Sequence, residues 1–177
     1  VIVPMVTPID SNGRIDLVAT ERIAELIINN GAAPFILGTT GESVSIPDEY
    51  RLSFVEKVVK IVNGKALTYA GISSNCFQNS VHHTKQYFDV GIDVVVAHLP
   101  NFYPLTNDHI LKYFESLADS CPRPIIMYNI PSTAHHSIPL DVAVKLGRHP
   151  NIVGLKDSER DVSRLEKACS EFKDNDN

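Results

Sequence analysis

Six short apolar runs recur along the chain at intervals of about thirty residues, and a segment with helical periodicity follows each one. A strand that rejoins its sheet after a helix must lie parallel to its predecessor, so this alternation demands a parallel α/β sheet with right-handed crossovers. The runs are Val1–Val6, Pro34–Gly38, Ala66–Ile72, Asp93–Pro100, Pro124–Ile130 and Ile152–Ser158. The fourth is almost continuously apolar, which is the pattern of a strand covered on both faces.

The punctuation between the runs predicts the helices. Asp10-Ser-Asn-Gly13 is a turn in which Gly13 takes positive φ, and Asp16 caps a helix that carries Ile23, Leu26 and Ile27 on one face and stops at Gly31. Pro47 opens the next helix, with Asp48 and Glu49 in its first turn, Leu52, Val55, Val59 and Val62 on one face and Gly64 at its end. Val81, Thr84 and Phe88 lead a third helix to Gly91, and Ile110, Phe114, Leu117 and Ala118 mark a fourth. Pro139 opens a fifth that runs to about Arg148, and Val162, Leu165, Cys169 and Phe172 mark a sixth.

Two architectures satisfy this alternation. An open doubly wound sheet fits 177 residues as they stand, whereas a (β/α)8 barrel needs ~250. An open sheet gathers its site at one switch point, while a barrel recruits the ends of many strands. Here Thr7, Thr39, Thr40, Asn75, Tyr103, Tyr128 and Lys156 all stand at strand exits. The expected fold is therefore the TIM (β/α)8 barrel, of which the chain carries about six βα units. Residues 1–177 are expected to form a single barrel domain, incomplete at its C-terminus: the chain opens directly on a strand without Met and ends on the polar Lys173–Asn177.

Composition narrows the partners. A net charge of −5 with dispersed lysines and arginines provides no basic stripe for nucleic acid or an anionic membrane. No apolar run approaches the ~18 residues of a membrane span, and no charged segment precedes the first apolar stretch as in a signal peptide, so the cytoplasm is the expected compartment. Cys76, Cys121 and Cys169 are odd in number and widely spaced, which points to reduced thiols and to no metal site. His82-His83 and His135-His136 are adjacent pairs whose side chains diverge; they are expected at the solvent surface rather than as metal ligands.

Three motifs carry chemistry. Lys156 closes the apolar run Ile152-Val-Gly-Leu, where loss of solvation disfavours the ammonium and makes the amine nucleophilic, as a Schiff-base lysine requires. Gly38-Thr-Thr-Gly-Glu42 lies between a strand and a helix and combines two hydroxyls with flexible backbone, a setting for the carboxylate of a small organic acid. It has neither the lysine of a P-loop nor the glycine spacing of a dinucleotide site. Tyr128 ends the strand preceding that of Lys156, so adjacent parallel strands bring phenol and amine together. The acids of Asp157-Ser-Glu-Arg-Asp161 read as helix-start residues.

Together G-T-T-G-E, Y-N-I-P and G-L-K-D, with the opening V-P-M-V-T-P-I-D, resemble the dihydrodipicolinate synthase and N-acetylneuraminate lyase family of Schiff-base aldolases. The resemblance extends over all 177 residues. It implies a (β/α)8 barrel, a homotetramer or dimer, and a lyase that condenses pyruvate with an aldehyde or cleaves a 2-keto acid without metal or organic cofactor. By position it assigns the imine to Lys156, proton transfer to Tyr128 and Thr39, and the keto-acid carboxylate to Thr40 and Gly41.

Two positions depart from the family pattern. Where the synthases carry an arginine after Y-N-I-P this chain has Thr133, and where a relay tyrosine follows strand four it has Phe102, with Tyr103 one residue on as a possible substitute. The expected function is thus a pyruvate-dependent lyase or aldolase acting on a 2-keto-3-deoxy sugar acid or similar substrate, its partners a small keto acid and an aldehyde. The alternatives are dihydrodipicolinate synthase itself, condensing pyruvate with aspartate semialdehyde, and a non-catalytic keto-acid binding module.

Overall fold

The computed structural model describes residues 1–121 and 123–173. Of the polar end read at Lys173–Asn177, all but Lys173 lies outside the described residues. The elements in chain order are β1 (Ile2–Pro4), α1 (Leu17–Asn29), β2 (Ala33–Ile36), a 3-10 turn (Ser43–Ser45), α2 (Asp48–Val62), β3 (Tyr69–Gly71), α3 (Phe77–Asp89), β4 (Val94–His98), α4 (Asn107–Ser120), β5 (Ile125–Asn129), α5 (Pro131–Ala134), α6 (Leu140–Leu146), β6 (Ile152–Asp157) and α7 (Val162–Glu171). This is the expected architecture, six βα units of a TIM (β/α)8 barrel.

The chain forms two compact units, one of Val1–Ile72 with His82–Val95, the other of Ser73–Val81 with the residues from Val96 onward. In the first, β1, β2 and β3 pair parallel in chain order, with Val3 opposite Pro34 and Phe35 opposite Tyr69. Its core contains Phe35, Ile36, Phe54, Val55 and Val58. In the second, β5 and β6 pair parallel, with Met127 opposite Leu155 and Tyr128 opposite Lys156. Ile110, Phe114, Leu117 and Ala118 are buried on α4 as their spacing predicts, beside Ile125, Met127 and Leu146.

Local signals behave as their physics requires. Asp16 accepts the N–H groups of Val18 and Ala19 as the N-cap of α1, and Gly13, Gly31, Gly64 and Gly91 all take positive φ. The differences lie where burial depends on distant neighbours. In α1 the buried residues are Thr20, Ala24 and Ile27, while Leu26 is 64 % exposed. In α2 the inward face is Phe54, Val55, Val58 and Val62, leaving Leu52 and Val59 half-buried. In α7 only Ala168 is buried, and Val162 and Leu165 are exposed. After Pro131 the chain also makes one helical turn, α5, that periodicity cannot register over four residues. His83 corrects the expectation of solvent-exposed histidines: it is 6 % exposed and stacks on Tyr87 at 5.7 Å, because its side of α3 faces the core while His82 faces water.

Candidate active site

In the first unit the loop Gly38-Thr-Thr-Gly-Glu42 leaves β2 through a left-handed Leu37 at φ 53° and ends at a left-handed Glu42 at φ 50°. Neither is glycine, so the backbone holds two unfavourable conformations within six residues. Gly71 makes the first possible: a Cβ there would lie 2.0 Å from the Leu37 carbonyl oxygen. The Thr7 hydroxyl donates to the Gly41 carbonyl at 2.7 Å, and Glu42 N–H donates to Thr39 C=O at 3.0 Å. These bonds hold the loop closed, with Gly41 buried and Thr39 and Thr40 exposed.

In the second unit, the tips of successive strands bring three side chains together. Lys156 Nζ stands 3.5 Å from the centre of the Tyr128 ring and donates to Ser158 Oγ at 3.3 Å. Tyr128 is 6 % exposed. On its other flank is His98, at the end of β4, with ring centroids 6.5 Å apart and planes at 73°. The expected meeting of Lys156 and Tyr128 is therefore present, and His98, which sequence reasoning passed over, joins the same face. Its signal was a single polar residue ending the apolar run Val94-Val-Val-Ala97.

His98 is fixed at two points. Its N–H donates to Ser73 Oγ at 2.8 Å, and its Nδ1 lies 2.8 Å from the Leu99 carbonyl. A carbonyl only accepts, so Nδ1 carries the proton and Nε2 is left as an acceptor. Burial lowers the His98 pKa below the usual imidazole value, opposed by the bond to Leu99.

Beneath these groups lies a second network. Asn129, 1 % exposed, donates to Asp157 at 3.0 Å and to Glu159 at 2.8 Å, accepts from Ile138 N–H at 2.9 Å, and its carbonyl accepts from Ser158 N–H at 2.8 Å. Arg164 donates from Nε to Asp157 at 2.6 Å, with Glu159 at 3.2 Å, and from its terminal nitrogen to the Ile138 carbonyl at 2.6 Å. Ser137 donates to Glu159 at 2.6 Å. Burial alone would raise the Asp157 carboxyl, but the bonds from Arg164, the Glu159 N–H and Asn129 outweigh it and hold the pKa below the usual value. Asp157 and Glu159 are thus not the helix-start acids expected; only Asp161 caps α7, accepting from Arg164 N–H at 3.1 Å.

Thr133 is exposed in α5, its hydroxyl 3.4 Å from the Ile130 carbonyl. Tyr103 is 73 % exposed and packs edge-on against Phe102, itself 75 % exposed, at 4.9 Å. The Tyr103 carbonyl lies 3.0 Å from His136 Nε2. His135 is exposed.

Comparison with known proteins gives one consistent result. A family model, the Dihydrodipicolinate synthetase family, matches residues 1–176. The chain is 34 % identical over 166 residues to 4-hydroxy-tetrahydrodipicolinate synthase 2 of Halalkalibacterium halodurans, covering 93 % of this chain and 57 % of that protein. The crystal structure of dihydrodipicolinate synthase from Bacillus anthracis superposes with TM-score 0.93 at 32 % identity over 98 % of this chain and 60 % of that one. The chloride-inhibited dihydrodipicolinate synthase from Acinetobacter baumannii, complexed with pyruvate, superposes with TM-score 0.95 at 27 % identity over the same shares. The chain thus spans less than two thirds of the length of each of these relatives.

Proposed function

The chain belongs to the dihydrodipicolinate synthetase family, and on that premise we propose that it is a pyruvate-dependent Schiff-base lyase or aldolase that forms or cleaves a 2-keto acid. The observation that carries this reading is Lys156 Nζ at the tip of β6, seated on the Tyr128 ring. An amine so placed attacks the C2 ketone of a keto acid; loss of water gives an imine, whose electron demand stabilises the C3 carbanion as an enamine. The enamine then adds to an aldehyde, or forms when the C3–C4 bond of a hydroxy-keto acid breaks. Pyruvate in the Acinetobacter baumannii complex supports pyruvate as the keto acid.

In this reading Tyr128 transfers protons to and from the substrate oxygens, Thr39 takes part in the proton relay, and Thr40 with the N–H of Gly41 binds the keto-acid carboxylate. Tyr103 is a further relay member, and Thr133 faces the acceptor. The lysine imine itself supplies the electron sink, so the reaction proceeds without metal or organic cofactor. The active form is a homo-oligomer, tetramer or dimer, acting in the cytoplasm on small molecules alone. Among the described residues no helix is long and apolar enough to cross a membrane.

The acceptor separates two readings. Thr133 provides a neutral hydroxyl where a semialdehyde carboxylate calls for a cation, which favours a 2-keto-3-deoxy sugar acid or similar hydroxylated substrate. The names of the relatives favour the second reading, condensation of pyruvate with aspartate semialdehyde. Borohydride reduction in the presence of a panel of 2-keto acids, followed by mass measurement, tests the imine and identifies the keto acid together. A protein with no covalent adduct from any of them is not a Schiff-base enzyme.

A further inference from the structure

The carbon–carbon step moves a proton between the hydroxyl of the acceptor half and C3, and in this chain the relay place after β4 holds Phe102, which has no ionisable group. Tyr103, proposed above as a relay member, is 73 % exposed. The acids nearest Lys156 in sequence, Asp157 and Glu159, are engaged by Arg164 and Asn129. His98 differs from all of these. It stands on the same face as Tyr128, its Nδ1 is committed to its own neighbour's carbonyl, and its remaining nitrogen is an acceptor. Packing gives no reason for an imidazole here, since Val94, Val95, Val96 and Ala97 of the same strand are all buried apolar residues.

We propose that His98 works beside Tyr128 as a further proton-transfer residue of the site: its Nε2 takes the hydroxyl proton of the acceptor half as the carbon–carbon bond breaks and returns it to C3 of the enamine. The proposal rests on the imine reading above and deepens it. Every bond is accounted for. The O–H bond breaks toward His98, the C–O bond becomes a carbonyl, and the electrons of the C3–C4 bond enter the iminium to make the enamine. The aldehyde leaves, C3 takes the proton back from the imidazolium, and water hydrolyses the resulting iminium to pyruvate and free Lys156. In the condensing direction the same proton travels the other way. Burial supports the role, because it keeps the imidazole neutral and able to accept.

The return half of this cycle is readable with pyruvate alone, as exchange of its C3 hydrogens for deuterium in D2O. The full chain, His98→Gln and His98→Ala are compared in that assay and in borohydride trapping of pyruvate on Lys156. Both variants should trap pyruvate to the same extent as the unsubstituted chain yet exchange C3 about 10² to 10⁴-fold more slowly, and imidazole in the buffer should restore exchange in His98→Ala at least tenfold. Exchange within threefold of the unsubstituted chain in both variants overturns the role of His98. Loss of the trapped adduct in both overturns it too, by showing that His98 only holds the fold. If the unsubstituted chain traps no pyruvate, the imine reading fails first and takes this inference with it.

Discussion

Lys156 Nζ lies 3.5 Å from the centre of the Tyr128 ring, and the two residues are direct partners in the parallel register of β5 and β6. Neighbouring strands sit ~4.8 Å apart and partners share a face, so register alone is enough to seat the amine on the ring. The next pair, Asn129 and Asp157, points to the other face and is hydrogen-bonded at 3.0 Å. A slip of one residue would break that bond and move Lys156 off its ring, which makes the Asn129–Asp157–Arg164 network the lock on this register.

Lys156→Ala should abolish the borohydride-trapped mass gain with pyruvate while leaving far-UV circular dichroism unchanged, since Lys156 is half-buried and its hydrogen bond is to the neighbouring Ser158 hydroxyl. An adduct that persists in the variant would transfer the nucleophile to another lysine, such as Lys145 or Lys167.

Tyr128→Phe retains the ring beneath Lys156 and removes only the hydroxyl. Turnover should fall by about 10² to 10⁴, the usual contribution of a positioned proton donor, while imine trapping continues more slowly. Steady-state kcat measured beside the trapping rate separates the two effects, and a variant with unchanged kcat would exclude the phenol from proton transfer.

Arg164→Met should destabilise the fold. The variant leaves Asp157 and Glu159 without their cation, at side-chain exposures of 17 % and 27 %. Breaking a fully buried pair costs about 3–5 kcal/mol and an exposed one about 0–1, so roughly 2 kcal/mol is expected from urea denaturation. Asp157→Asn in the same background should recover part of the loss, and a cost below about 0.5 kcal/mol would place the network among solvated ion pairs.

Acid should weaken the fold in two stages. Burial, with the nearby Arg51 charge, lowers the His83 pKa from its usual 6.5. The unfolded chain therefore binds the proton first, and stability is lost as pH falls below about 6.5 toward the lower folded value. Asp157, held below its usual 3.8, contributes stability above that pH and loses it as pH falls through the folded value. Urea midpoints from pH 8 to 3 should show both stages, with His83→Gln reducing the first, to which the buried His98 also contributes, and Asp157→Asn reducing the second. If His83→Gln leaves the slope between pH 7 and 5 unaltered, another group is responsible for it.

The proposed role of Thr133 at the acceptor is tested by substrate preference. Cleavage of a 2-keto-3-deoxy sugar acid should exceed condensation with aspartate semialdehyde by at least ~10-fold in kcat/KM, a difference of about 1.4 kcal/mol. Thr133→Arg should narrow or reverse the ratio by adding a charge-assisted partner for the semialdehyde carboxylate, worth roughly 1.5 to 3 kcal/mol. Preference for the semialdehyde in the unsubstituted protein would establish the synthase reading and assign its cation to a residue other than the one at position 133.

What the sequence determined by itself is whatever depends on neighbours in the chain. Apolar runs separated by capped amphipathic segments dictated the parallel α/β class, and Asp16 and the left-handed glycines set helix ends. Strand lengths and helix faces were less legible, because burial of Phe54 or exposure of Leu26 depends on what packs against them rather than on their own periodicity. The site divided in the same way. The meeting of Lys156 and Tyr128 was readable, because each follows the apolar run of its own strand and the two strands are neighbours. The flank of His98 against Tyr128, and the turn that sends Asp157 and Glu159 to Arg164, were not. His98 and Tyr128 are far apart in the chain, as are Asn129 and the two acids it holds beside Arg164, and only the register and packing of the folded strands decide which such residues meet.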